Sequence, residues 1–311
     1  MKKRVLVVSS ANMDFVMRVG KLPEAGQTLI ERRSYDYVPG GKGANAAVAL
    51  ARLGADSVFC ARLGSDSHAK KLVSLYEDSG IDTRFIINDR NVPTGLASII
   101  VEENGNNRIV VYPGANANLT AEDVEDAITC IPDAVFLQFE IPTDAVVAAT
   151  QFAKQRGIPV FIDAGPARRN YPLDRLGPLE VISPNETETY ALTGIMPQTM
   201  NDCLRAASIL MQKVQTKYVV IKLGDRGAYI HDGKYSEVVI SHEVEVVDTT
   251  AAGDAFTAAM TLEYLKSGNI VRAVKYANAV GALVVGKAGA SSSLPTAAQV
   301  EAFIRENEVI L

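Results

Sequence analysis

What most constrains this chain is its rhythm. From Gly40 to Glu306, stretches with one apolar side at helical spacing alternate with short runs that are apolar almost throughout. The spacing predicts helices over Ala44–Leu53, Ser67–Ser79, Thr143–Arg156, Glu186–Leu192, Met200–Val214, Ala255–Lys266, Ile270–Val285 and Ala297–Glu306, with another opening at Thr120. Between or before them, Val5–Ser9, Val58–Leu63, Ala134–Phe139, Pro159–Asp163, Leu179–Ser183 and Tyr218–Leu223 read as strands, and Ala228–Ile230 with Tyr235–Ile240 as a hairpin. A strand that is apolar on both sides must be covered on both faces, which is the condition of a parallel sheet between helices. The expected fold class is therefore α/β: a mostly parallel central sheet with helices on both faces.

Before and within this series the pattern loosens. Phe15–Val19, Thr28–Glu31, Tyr35–Val38, Thr94–Val101 and Arg108–Tyr112 look like short strands among Gly20, Pro23 and Gly26, the last two forming a hairpin around Glu103-Asn104-Gly105-Asn106. They suggest a small β-lid formed by 13–39 and 93–113, set into a single domain over 1–311. With 311 residues, 48% of them hydrophobic, the chain can bury a core of that size. Its net charge of −5, with no basic run, argues against nucleic acid and against an anionic membrane surface as partners. No apolar run reaches the roughly 20 residues that span a bilayer. Cys60, Cys130 and Cys203 are too scattered for a disulfide framework or a metal cluster, so buried thiols in the cytoplasm are expected.

In a parallel sheet, ligands collect at the carboxyl ends of the strands. Glu140, Asp163, Gly224 and Asp248 all fall just past predicted strands, the last after an alternating run at Glu243–Val247. Asp248 opens the stretch Asp248-Thr249-Thr250-Ala251-Ala252-Gly253-Asp254, a small-residue turn that enters a helix. The first N–H groups of a helix have no partner within it, so such a turn can hold an anion, with Asp254 beside it. A second glycine turn, Gly40-Gly41-Lys42-Gly43-Ala44-Asn45, also opens a helix. Its glycines permit close backbone approach, and Lys42 and Asn45 can meet hydroxyl or phosphate groups; the plainer reading is a loop with one solvated lysine. Asn12 and Asp14 suit a polyol and also suit an ordinary turn. Asn185 and Glu188 either orient waters on Mg²⁺ or simply cap a helix. Lys222-Leu223-Gly224-Asp225-Arg226-Gly227 fits close contact with a nucleotide or a bare hairpin turn. Neither a G-x-x-x-x-G-K-[ST] loop nor a G-x-G-x-x-G after the first strand is present.

In order and together, these motifs, with Pro113-Gly114-Ala115-Asn116 and Gln138-Phe139-Glu140, resemble the ribokinase-like sugar kinases of the phosphofructokinase-B type along nearly the full chain. The resemblance implies transfer of the γ-phosphoryl group of ATP to a sugar, first the 5-hydroxymethyl of D-ribose. It implies that Asp254 is the base and that Ala251, Ala252 and Gly253 complete the anion hole. Asn12, Asp14, Gly41, Lys42, Asn45 and Glu140, with Asp254, would hold the sugar. Asn185, Glu188, Lys222, Gly224, Asp225, Gly227, Gly253 and Asn278 would line the ATP site, Glu188 near Mg²⁺. A K⁺ site maps onto Asp248, Thr250, Val284, Lys287, Gly289 and Ser293.

The same resemblance implies a homodimer through the β-lid. Two segments depart from the family pattern: Asp163-Ala164-Gly165-Pro166-Ala167, where Asn-Pro-Ala-Pro-Ala is frequent, and Ala255 in place of Thr. They leave open a related kinase for fructose, a ketodeoxy sugar acid or a nucleoside. A sugar-binding regulator without turnover is the reading from another class, and the intact Asp254 speaks against it.

Overall fold

In the computed structural model, which describes residues 2–103 and 106–311, the apolar runs become the inner strands of one sheet. Its strands are β1 (Arg4–Val8), β4 (Asp56–Gly64), β5 (Asp82–Asp89), β8 (Ala134–Leu137), β9 (Val160–Asp163), β10 (Leu179–Ser183), β11 (Thr216–Lys222), β12 (Ala228–His231) and β13 (Ser236–Val239). They lie in the order β13-β12-β11-β10-β9-β8-β1-β4-β5. From β11 to β5 every pairing is parallel; only the β11–β12 and β12–β13 pairings are antiparallel, the second being the hairpin the sequence predicts. Alternate side chains leave opposite faces, so Val5 and Val7 enter one apolar cluster while Leu6 and Val8 enter the other.

Helices α1 (Lys42–Arg52), α2 (Ser67–Asp78), α7 (Ala252–Ser267), α8 (Ile270–Val285) and α9 (Ala297–Glu306) contribute to the first cluster. Helices α3 (Ala121–Ala127), α4 (Thr143–Arg156), α5 (Glu186–Thr193) and α6 (Met200–Lys213) contribute to the second. Thr120 and Asp123 cap α3 reciprocally, the box the sequence suggests.

A second sheet, in the order β3-β2-β6-β7, contains β2 (Asn12–Val19), β3 (Tyr35–Gly40), β6 (Gly95–Glu102) and β7 (Asn107–Tyr112). The turn centre at 104 and 105, expected between β6 and β7, lies outside the described residues.

Two expected strands are absent. Thr28–Glu31 is irregular, with Ile30 86% exposed; its short apolar run has no neighbour to pair with. Glu243–Val247 alternates like a strand, yet its exit is tied elsewhere: Val247 and Asp248 both donate to the Val285 carbonyl at the end of α8. Conversely, β5 escapes the sequence reading because aspartates at both ends frame its apolar centre, Phe85-Ile86-Ile87.

Candidate active site

The carboxyl ends of β1, β8, β9 and β11 open toward the amino ends of α1 and α7, and the polar residues of the chain gather there. Asp254 lies in the first turn of α7 and is almost fully buried. Three donors surround its carboxylate: Asn45 Nδ2 at 2.9 Å, Gln138 Nε2 at 3.3 Å and Lys42 Nζ at 3.6 Å. The charge of Asp254 raises the Lys42 ammonium pKa against the opposing effect of burial, so Lys42 stays charged. Beside Asp254, Ala251 turns the chain into α7 with φ 63°, a left-handed conformation that few residues with a Cβ adopt.

The expected sugar residues converge on the other side of Asp254. Asn12 starts β2, and its Oδ1 accepts from Asn116 Nδ2 at 2.8 Å. Asn116 also accepts the Ala11 N–H and donates to the Ala11 carbonyl, which fixes the bend from β1 into β2. Glu140 accepts from Ser10 Oγ and from the Lys42 N–H at 3.2 Å. Asp14 packs against Gly40 so closely that a Cβ there would sit 2.0 Å from its carboxylate. Burial, then the charges of Glu140 and Asp254, push the Asp14 carboxyl up to about 7. Gly41 has φ 90°, and a Cβ on it would lie 2.7 Å from the Asn12 nitrogen. Asn45 Oδ1 is buried with no partner among the described residues, an acceptor left for a ligand hydroxyl.

On the far side of α7, Lys222, Gly224, Asp225, Gly227, Gly253 and Asn278 line a cleft of about 800 Å³ with an apolar rim that includes Val246 and Ala282. Asn278 donates to the carbonyls of Val239 and Ile240, both at 3.0 Å, and so shapes the wall. Asn185 and Glu188 form a reciprocal cap on α5, the plainer of their two readings. Glu188 Oε2 takes the Asn185 N–H, and Oε1 faces Gly165 beside the Lys42 stem.

Behind the loop, Asp248 accepts from the Thr250 N–H and hydroxyl and from the Gly289 N–H. Burial raises its pKa, but these hydrogen bonds outweigh that and hold it below the usual carboxylate range. Val284 and Lys287 share one turn through a backbone bond, and buried Ser293 donates to the Ala290 carbonyl. Three residues without an assigned role complete the centre: Asn116, Gln138 and Asp163. Each is a buried polar side chain at or near a strand end, and that placement was the available signal.

The sequence pattern of the pfkB family carbohydrate kinases matches residues 2–297, and the chain belongs to that family. It is an ATP-dependent carbohydrate kinase. Staphylococcus aureus ribokinase is 34% identical to it, with 96% of this chain and 99% of that one covered. The bifunctional ribokinase/ribose-5-phosphate isomerase A of Fructilactobacillus sanfranciscensis is also 34% identical; the match takes in 99% of this chain and 57% of that longer protein. The structure of Arabidopsis thaliana ribokinase complexed with ribose and ATP superposes with a TM-score of 0.90 at 30% identity, over 98% of this chain and 99% of the other.

Proposed function

We propose that the chain phosphorylates D-ribose at its 5-hydroxymethyl, giving ribose 5-phosphate and ADP. The observation that carries this reading is the position of Asp254, between a group of buried polar side chains and a cleft. On one side stand the hydroxyl-binding groups Asn12, Asp14, Asn45 and Glu140; on the other lies the nucleotide-sized cleft. Asp254 takes the proton of the sugar hydroxyl as the O–P bond forms, and the bond from Pγ to ADP breaks with its electron pair leaving on ADP. Phosphoryl transfer has a loose transition state, so alignment and charge stabilisation matter more than strong basicity. The Gly253 N–H, which has no acceptor among the described residues, faces the charge that gathers on the transferred group, and the Ala252 N–H joins it by leaving the Thr249 carbonyl, 3.3 Å away.

Mg²⁺ would neutralise phosphate charge, with Glu188 Oε1 as the carboxylate oxygen on that side. K⁺ would stiffen the anion-hole loop. Asp248 accepts three hydrogen bonds and has about four lone-pair sites, so one remains for a cation, with Ser293 and the Thr250, Val284, Lys287 and Gly289 carbonyls as the other ligands the family pattern assigns. The chain pairs as a homodimer through the lid, whose edge strand β7 exposes all six residues.

A coupled ADP-release assay tests the assignment over ribose, 2-deoxyribose, fructose, a ketodeoxy sugar acid and nucleosides, with K⁺ or Na⁺. Ribose is expected to give the highest kcat/KM, and K⁺ to exceed Na⁺. A strong preference for another acceptor overturns the sugar, equal rates with both cations overturn the K⁺ site, and no turnover revives the regulator.

A further inference from the structure

One ion pair in this centre has no part in the scheme above. Asp163 ends β9 and Lys222 ends β11, with the single strand β10 between them. Their side chains meet across its end, Lys222 Nζ to Asp163 Oδ1 at 2.6 Å, with side-chain exposures of 11% and 3%. Both charges give up their hydration to meet here, so a pair this deep is poor evidence of a gain in stability.

Its surroundings indicate a use. An ammonium group has three N–H donors. Lys222 commits one to Asp163 and one, at 3.3 Å, to Thr257 Oγ1. Among the described residues the third has no protein acceptor, and Lys222 lines the nucleotide cleft. A Cβ on Gly253 would sit 3.5 Å from Nζ, which puts the ammonium beside the first turn of α7. The other oxygen of Asp163 lies 3.5 Å from Gln138 Nε2, the same amide nitrogen that reaches Asp254 Oδ1. Cation and base are thus set at a fixed spacing through Asp163 and Gln138.

We propose that Lys222 donates its third N–H to an oxygen of the transferring phosphoryl group, and that Asp163 is the positioning residue that holds it there. This rests on the kinase reading and adds a cation to the anion hole; Lys222 forms no covalent bond. Its charge counts most as negative charge shifts toward the breaking bond, so its loss falls on kcat more than on sugar affinity.

The experiment uses the full-length enzyme and whichever sugar the wild type phosphorylates best, so an error about ribose does not disturb it. Lys222→Met should lower kcat by about 10²-fold, the effect typical of one lost anion-hole donor. The Kd for sugar without nucleotide, by calorimetry, should change less than twofold. Asp163→Asn should lower kcat by about tenfold and raise KM for ATP, as a misplaced cation does. The double variant Asp163→Asn/Lys222→Met separates this role from a structural one. If the pair only serves folding, removing both charges restores activity; if Lys222 contacts phosphate, the double variant stays as slow as Lys222→Met. Recovery in the double variant, or a Lys222→Met kcat within threefold of wild type, overturns the proposal. Should Lys222→Met fail to fold, the Asp163→Asn split between kcat and KM decides alone, and an unchanged split overturns it.

Discussion

The two sheets of this molecule are built for different work. The nine-stranded sheet lies between two layers of helices, and its central strands are buried on both faces. The four-stranded sheet is much less covered: Ile109, Val110, Val111 and Tyr112 along its edge strand are 43–59% exposed. The large sheet carries Lys222 and Asp163, the proposed phosphoryl contact and its positioning partner, at the ends of its strands, and α7 beside it carries Asp254. The lid carries Asn12 and Asp14 at its root, the side proposed to hold the sugar. A rigid, deeply packed frame can hold a reacting geometry within tenths of an ångström, whereas a thin sheet can open and close over a substrate. Damage to the first should therefore appear in kcat, and damage to the second in affinity or assembly.

Asp254→Asn is the most severe test of that division. It should reduce kcat by about 10²–10⁴-fold while calorimetry still detects sugar binding, because a positioned acid–base group contributes on that scale. Residual activity above about one per cent would remove Asp254 from the base role.

Asp14 tests the lid side. Its carboxyl, raised to about 7 chiefly by burial, is protonated below that pH and ionised above it. Since the carboxylate is the form that accepts sugar hydroxyls, KM for sugar should rise about tenfold from pH 8 to pH 6, with kcat changed much less. Asp14→Asn should flatten the profile. Stability runs the other way: below the ordinary carboxyl range the folded and unfolded chains both hold the proton. As pH rises toward about 7, the unfolded chain has released it and the folded one has not, so the empty protein loses stability. A pH-independent KM in the wild type would end this account.

The smallest effect on the folded monomer is expected at the lid edge. Val110 is 55% exposed, so Val110→Asp should change unfolding stability by less than about 0.5 kcal/mol. Analytical ultracentrifugation should nevertheless show a shift toward monomer. A dimer of unchanged strength would place the interface elsewhere.

The sequence was most legible where one segment's own pattern decides its structure. The helices Thr143–Arg156, Ile270–Val285 and Ala297–Glu306 have the ends the sequence predicts, because their caps and stops are local. Four of the five short strands expected in the lid form, whereas Thr28–Glu31 does not. Glu243–Val247 carries equally good alternation, but a strand needs a partner edge, and this segment's exit is drawn to the end of α8. Within the site, the glycine turns and Asp254 stand out because conformation and chemistry coincide in a few consecutive residues. Asp163 stood out only as a strand end, and Gln138 and Asn116 only as members of motifs; no role could be read for them, since each acts on groups 25 to 116 residues away in the chain. A buried amide or carboxylate at a strand end has no sequence pattern of its own until the sheet assembles around it.

Ala251 has a further consequence. An alanine at φ 63° sits about 1–2 kcal/mol above its preferred conformation, and the surrounding fold must hold it there. On the proposed reading, a loop held in this way has most of its shape before the phosphoryl group arrives: it is a mould largely cast, which a bound cation would harden. If so, adaptation to substrate falls to the lid, and a slow opening or closing step belongs to the four-stranded sheet rather than to the start of α7.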